Sequence, residues 1–108
     1  MGLSKKQCTP CRKGTQRLEG KVLKEYCSLL SGWNSVEGQY LVKTYPFQDF
    51  NSELAFVNKI GEIAEREDHH PDIYLACGKV EVKIYTHIIK GLSENDFILA
   101  AKIDEIKR

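Results

Sequence analysis

Lys79-Val80-Glu81-Val82-Lys83-Ile84-Tyr85-Thr86-His87 alternates strictly, with Val80, Val82, Ile84 and Thr86 on one side and Glu81, Lys83, Tyr85 and His87 on the other. A period of two, with β-branched residues on one side, predicts a strand half-buried against a core. The preceding run, Asp72 to Cys77, is also expected to be a strand, with Cys77 as one of its small apolar residues. Gly78 follows as a turn, so residues 72–87 read as a hairpin. Further back, Phe50, Leu54, Val57, Ile60, Ile63 and Ala64 mark the expected buried face of a helix that Asp49 or Asn51 can cap. The helix should run to about Asp68, because Pro71 disfavours helical geometry at His70.

Moving outward, Gln39 to Phe47 is rich in β-branched and aromatic residues and predicts another strand, with Pro46 placing its end at an edge or bulge. Glu37-Gly38 turns it back on a short strand over Trp33 to Val36. Leu18, Val22, Leu23, Tyr26, Cys27, Leu29 and Leu30 outline an amphipathic helix that starts near Gly20 and closes at Ser31-Gly32. At the other end, Ser93-Glu94-Asn95-Asp96 reads as a variant capping box before Phe97, Ile98, Ala101, Ile103 and Ile106. The order is α-β-β-α-β-β-α. It implies an α+β fold, a four-stranded antiparallel sheet covered by helices on one face. Residues 1–17 have no apolar periodicity and are expected to form a loose, flexible N-terminal arm, with 18–108 as a single domain.

The chain has 108 residues and a formal net charge of +1, so it carries no basic field of the kind that binds nucleic acid. No apolar run approaches the roughly 20 residues of a membrane span. The first residues also lack the apolar core of a secretory signal. A cytoplasmic protein is expected, with no membrane or nucleic-acid partner. Cys8-Thr9-Pro10-Cys11 is a lone C-x-x-C. A zinc site would show a second pair, and a thioredoxin-like motif would follow a strand, so two reduced thiols on a polar arm are expected.

All three histidines, His69, His70 and His87, flank the hairpin. Singly, each has an ordinary reading: a helix-end residue complementing the macrodipole, a loop residue before proline, and a strand-end residue bonded to backbone. Together they change the case, because a hairpin between Pro71 and His87 brings its two ends back near one another. Glu65 precedes His69 by one helical turn, so the two are expected to share a face. Three histidines and Glu65 also resemble a zinc or iron site. Adjacent histidines usually point apart, however, so proton transfer without a metal is the preferred reading. Histidine, with an ordinary pKa of about 6.5, suits that role near neutrality.

Glu65-x-x-x-His69-His70-Pro71, Tyr74, Thr86-His87 and Gly91-Leu92-Ser93-x-x-Asp96 together resemble the signature of the pterin-4a-carbinolamine dehydratases. The similarity runs from about Leu18 to Ile103 and includes Gly32-Trp33 and Phe47-x-x-Phe50. Ile73 stands where some relatives carry an aromatic residue. The resemblance implies the same α-β-β-α-β-β-α fold and assembly as a homodimer or homotetramer. It also implies a hydro-lyase that dehydrates a 4a-hydroxytetrahydropterin (pterin-4a-carbinolamine) to the quinonoid dihydropterin, in tetrahydrobiopterin recycling. By motif position His69, His70 and His87 would be catalytic. Glu65, Asp96, Thr86, Pro71 and Tyr74 would support them or bind substrate. No cofactor is implied, since substrate and product differ only by water. Some animal members also serve as dimerisation partners of a transcription factor, so a non-catalytic binding module is the alternative.

Overall fold

A computed structural model describes residues 2–9 and 15–108. Helix α1 spans Gly20–Cys27, followed by strands β1, Asn34–Val36, and β2, Tyr40–Pro46. Helix α2 spans Phe50–Glu67, β3 Asp72–Ala76, β4 Lys79–Ile84 and helix α3 Glu94–Asp104. The sheet is antiparallel throughout, in the order β1-β2-β4-β3. The expected α+β architecture and element order are present. Pro46 ends β2 beyond its pairing with β1, which stops at Val42, so the strand's end has a neighbour on the β4 side alone, an edge position as expected, and the next amide, Phe47 N–H, bonds to the Gly78 carbonyl. Three residues, Glu37, Gly38 and Gln39, connect the paired Val36 and Tyr40, with positive φ at Glu37 and Gly38 and the Gln39 N–H donating to the Val36 carbonyl.

One face of the sheet, with Leu41, Tyr45, Val80, Val82 and Ile84, packs beneath Phe56, Ile60 and Ala64 of α2 and Phe97, Ile98 and Ile103 of α3. The buried side of α2 is rotated from the one its apolar residues predict. Phe50 is 49% and Leu54 40% exposed, while Glu53 is fully buried. The rotation lets Glu53 Oε2 accept the Gly78 N–H at 2.6 Å, tying α2 to the β3–β4 turn. Cys77, expected within a strand, lies in that turn and is exposed.

Helix α3 is buried on most of its circumference, which a helix on one face of a sheet would not be. The cover is the N-terminal segment. A 3-10 turn at Leu3–Lys5 buries Leu3 against the core, Lys102 Nζ donates to the Ser4 carbonyl, and Cys8 N–H donates to Glu67 Oε1 at 2.8 Å. Where the sequence predicts a loose arm, residues 2–9 therefore lie docked on α3. Cys8 is half-buried against Glu67 and Asn95; Cys11, the other half of the C-x-x-C, falls outside the described residues.

Candidate active site

The end of α2 sets the site. Asp68 adopts the left-handed conformation (φ 54°), and the next amide, His69 N–H, reaches back to the Ala64 carbonyl. This is a Schellman-type termination in which aspartate takes the position glycine usually fills. The reversal sends the two adjacent histidines apart. His69 turns inward and is only 8% exposed, while His70 faces solvent. The partner of Glu65 is consequently His70, at 2.7 Å, and not His69 as the helical spacing suggests. Beyond the left-handed residue the helical i, i+4 relation no longer applies.

His69 instead pairs with Asp96, its Nε2 lying 2.6 Å from Oδ1. Asp96 is fully buried at the start of α3. Its other oxygen, Oδ2, accepts from Ser93 N–H and from Thr86 Oγ1, each at 2.8 Å, and the Ser93 interaction belongs to the capping box expected from sequence. One carboxylate thus closes the α3 cap, fixes buried Thr86 at the end of the β4 segment, and holds His69. A second hydroxyl contact, Thr86 Oγ1 to Ser93 Oγ at 2.9 Å, completes the network.

His87 was expected to end a strand. Strand β4 stops at Ile84, and His87 opens a 3-10 turn, His87–Ile89. The turn is pinched at its base by Thr86 N–H donating to the Gly91 carbonyl and closed by left-handed Lys90. The exposed imidazole leans on Tyr85, with ring centroids 4.2 Å apart. A cavity of about 380 Å³ opens between the two ends of the hairpin, lined by Asp68, His69, His70, Tyr85, Thr86 and His87. The three histidines do converge on one cleft.

The other predicted residues are placed differently. Glu65 and Asp96 stand behind His70 and His69, Pro71 leads into β3, and neither Pro71 nor Tyr74 lines the cavity. Tyr74 lies on the open face of the sheet opposite Glu81, 59% exposed. Tyr85 was missed as a wall residue, although it precedes His87 by two on the same side of the alternation. Among the described residues no group of three or more His, Cys, Asp or Glu is arranged to hold a metal ion. Nor, among them, is any helix long and apolar enough to cross a membrane.

The sequence model of the family Pterin 4 alpha carbinolamine dehydratase matches residues 16–106. A protein of Rickettsia bellii is 48% identical over 103 residues, 94% of this chain and 91% of its own. One from Rubrobacter xylanophilus is 41% identical over 104 residues, 96% and 97% of the two chains. Both are provisionally named pterin-4-alpha-carbinolamine dehydratase. A Brucella melitensis crystal structure, described as a transcriptional coactivator/pterin dehydratase, superposes with a TM-score of 0.78 at 31% identity, covering 82% of this chain and 96% of that one. With a family match across most of its length and relatives of this identity, the chain belongs to the pterin-4-alpha-carbinolamine dehydratase family.

Proposed function

We propose that this protein is a hydro-lyase that eliminates water from a 4a-hydroxytetrahydropterin and releases the quinonoid dihydropterin, in the recycling of tetrahydrobiopterin or a related pterin. The C4a–O bond breaks as the hydroxyl gains a proton and departs as water. N5 loses its proton, and the electron pair left on it forms the C4a=N5 double bond. The oxidation level is unchanged apart from loss of water. The chemistry requires one proton delivered and one removed, which is general acid–base work.

The observation that carries this reading is the buried His69–Asp96 pair beneath a cleft that also holds His70 and His87. A carboxylate accepting from Nε2–H selects the tautomer whose Nδ1 has a free lone pair, and it steadies the imidazolium formed after proton uptake. His69 and His87 exchange protons with the substrate in this mechanism, and His70, held by Glu65, orients it. Thr86 fixes the floor through Asp96. A non-catalytic binding module would have no use for a histidine locked onto a buried carboxylate at a cleft, which favours the enzyme. We also propose assembly into a homodimer or homotetramer, supported by exposed Phe50 and Leu54 on α2 and by the open edges of β1 and β3.

The test is stopped-flow absorbance of 4a-hydroxytetrahydropterin decay with wild type and His87→Ala. Wild type should accelerate decay over buffer, and the variant should lose roughly 10²–10⁴-fold in kcat. Acceleration that survives in His87→Ala removes His87 from the chemistry. No acceleration by folded wild type refutes the dehydratase reading.

A further inference from the structure

Tyr85 and His87 have two sides. The cleft described above lies on one, and on the other a second hollow of about 480 Å³ opens, lined by Gln39, Tyr40, Lys83, Tyr85, His87 and Lys90. The two share Tyr85 and His87 as a common wall. Lys83 follows from the alternation of β4, which places it on the open face of the sheet. Its ladder neighbours are Val42 and Asp72, yet its ammonium turns over the Tyr40 ring, 4.1 Å from the centroid, and lies 5.7 Å from that of Tyr85. Lys90 is exposed, set in the left-handed position that closes the His87 turn. Among the described residues neither lysine forms an ion pair with a carboxylate. An aromatic face holds an ammonium in place without neutralising it. The hollow therefore combines flat aromatic walls, an amide and two uncompensated positive charges, directly beyond a histidine of the site.

We propose that this hollow is a second binding subsite, which takes an anionic group, phosphate or carboxylate, carried on the side chain of the pterin. The inference rests on the dehydratase reading. In a pterin the C6 substituent is attached next to N5, one bond from the reacting C4a–N5 unit. With the ring in the histidine cleft, a C6 chain leaves the site from beside the reacting atoms. The hollow past His87 adjoins that cleft, and its chemistry suits a tail that is polar along its length and negative at its end. The subsite would give preference for charged pterins over neutral polyol pterins of the same ring.

The test measures binding of three unreactive probes by fluorescence: 7,8-dihydroneopterin (neutral tail), its 3′-phosphate, and dihydrofolate (carboxylate tail). Wild type should bind at least one anionic probe roughly 5- to 20-fold more tightly than the neutral one, with the ratio shrinking as salt is raised. The probe that gains identifies phosphate or carboxylate as the preferred anion. The ratio should fall to about one in Lys83→Gln/Lys90→Gln and invert in Lys83→Glu/Lys90→Glu. Lys83→Arg/Lys90→Arg, which keeps both charges, should retain it and controls for folding. A ratio near one in wild type, or one indifferent to charge reversal, overturns the subsite. If wild type still accelerates dehydration of a neutral 4a-hydroxytetrahydropterin, only the subsite has failed. If it neither binds any probe nor accelerates dehydration, the dehydratase reading fails and the subsite with it.

Discussion

Asp96 is the residue whose replacement should reveal most. Its carboxylate accepts from His69 Nε2 at 2.6 Å, Thr86 Oγ1 at 2.8 Å and Ser93 N–H at 2.8 Å, with no solvent exposure. Hydrogen bonds to a charged group contribute roughly 1.5–3 kcal/mol each, but three on one carboxylate are not independent. Thr86 retains Ser93 Oγ as a partner in Asp96→Ala, so one of the three donors is partly rescued. The expected loss is then about 3–5 kcal/mol, the range for breaking a buried pair. That is a large share of a typical stability of roughly 5–15 kcal/mol. At about 4–8 °C per kcal/mol for a domain of this size, it corresponds to a Tm lowered by at least about 12 °C. Asp96→Asn separates stability from chemistry. Its amide oxygen can keep the Thr86 and Ser93 bonds while its NH2 faces His69, forcing Nε2 to become an acceptor and the ring proton onto Nδ1. Stability should fall by only about 1 kcal/mol, while kcat falls by about 10²-fold or more. Urea unfolding at fixed protein concentration, stopped-flow rates and imidazole ¹⁵N shifts read the three effects. Asp96→Ala within about 1 kcal/mol of wild type, or Asp96→Asn with full activity and an unchanged tautomer, would refute the reasoning.

Three other outcomes follow from particular contacts. Asp49 caps α2, and its carboxyl is held below the usual range by the Ser52 backbone N–H and then by the Ser52 hydroxyl. A lowered folded-state pKa contributes stability above the unfolded value that is lost as pH falls through the folded one. The advantage of wild type over Asp49→Ser, which caps without titrating, should therefore shrink in chemical denaturation as pH drops from about 6 to about 3. The Cys8 thiol is pushed up to about 12, first by burial and then by the charge of Glu67. In a Cys11→Ser background, a thiol reagent near neutral pH should label exposed Cys77 at once and Cys8 only on unfolding; equal rates would mean that the N-terminal segment is not docked. Glu53 is buried with Oε2 on the Gly78 amide and Oε1 without a hydrogen-bond partner, whereas Gly78 itself is exposed. Glu53→Met should leave stability within about 1 kcal/mol of wild type or raise it, since removing a poorly compensated buried carboxylate offsets one lost bond; a loss above about 2 kcal/mol in urea unfolding would contradict this.

The features legible in the sequence are those that a local period can encode. Strand β4 and the α3 capping box follow from alternation and from a Ser-x-x-Asp spacing; the capping box stands at its predicted residues, while β4 stops at Ile84, three residues short of the His87 end that the alternation implies. The errors arise where a distant partner decides. The apolar residues of α2 point to a face through Phe50 and Leu54, but the helix turns so that Glu53 meets the Gly78 amide, a contact across 25 residues. The first residues have no periodicity of their own, yet they cover α3, which is buried on most of its circumference.

The site divides in the same way. Helical spacing assigns Glu65 to His69, and one left-handed residue, Asp68, reassigns it to His70. That single reversal is also what makes two adjacent histidines usable. A continued helix would leave both on the surface, at about 100° to each other. Instead one is buried against Asp96 and the other left at the rim. By spacing alone Asp96 reads as a cap residue, because its capping bond is local, and a supporting role at the site is implied only by the family resemblance. Its bonds to His69 and Thr86 come from elements 27 and 10 residues away. The same carboxylate therefore starts the helix, anchors the end of the β4 segment and orients the histidine. The site cannot be distorted without loosening the fold, nor α3 unwound without releasing His69.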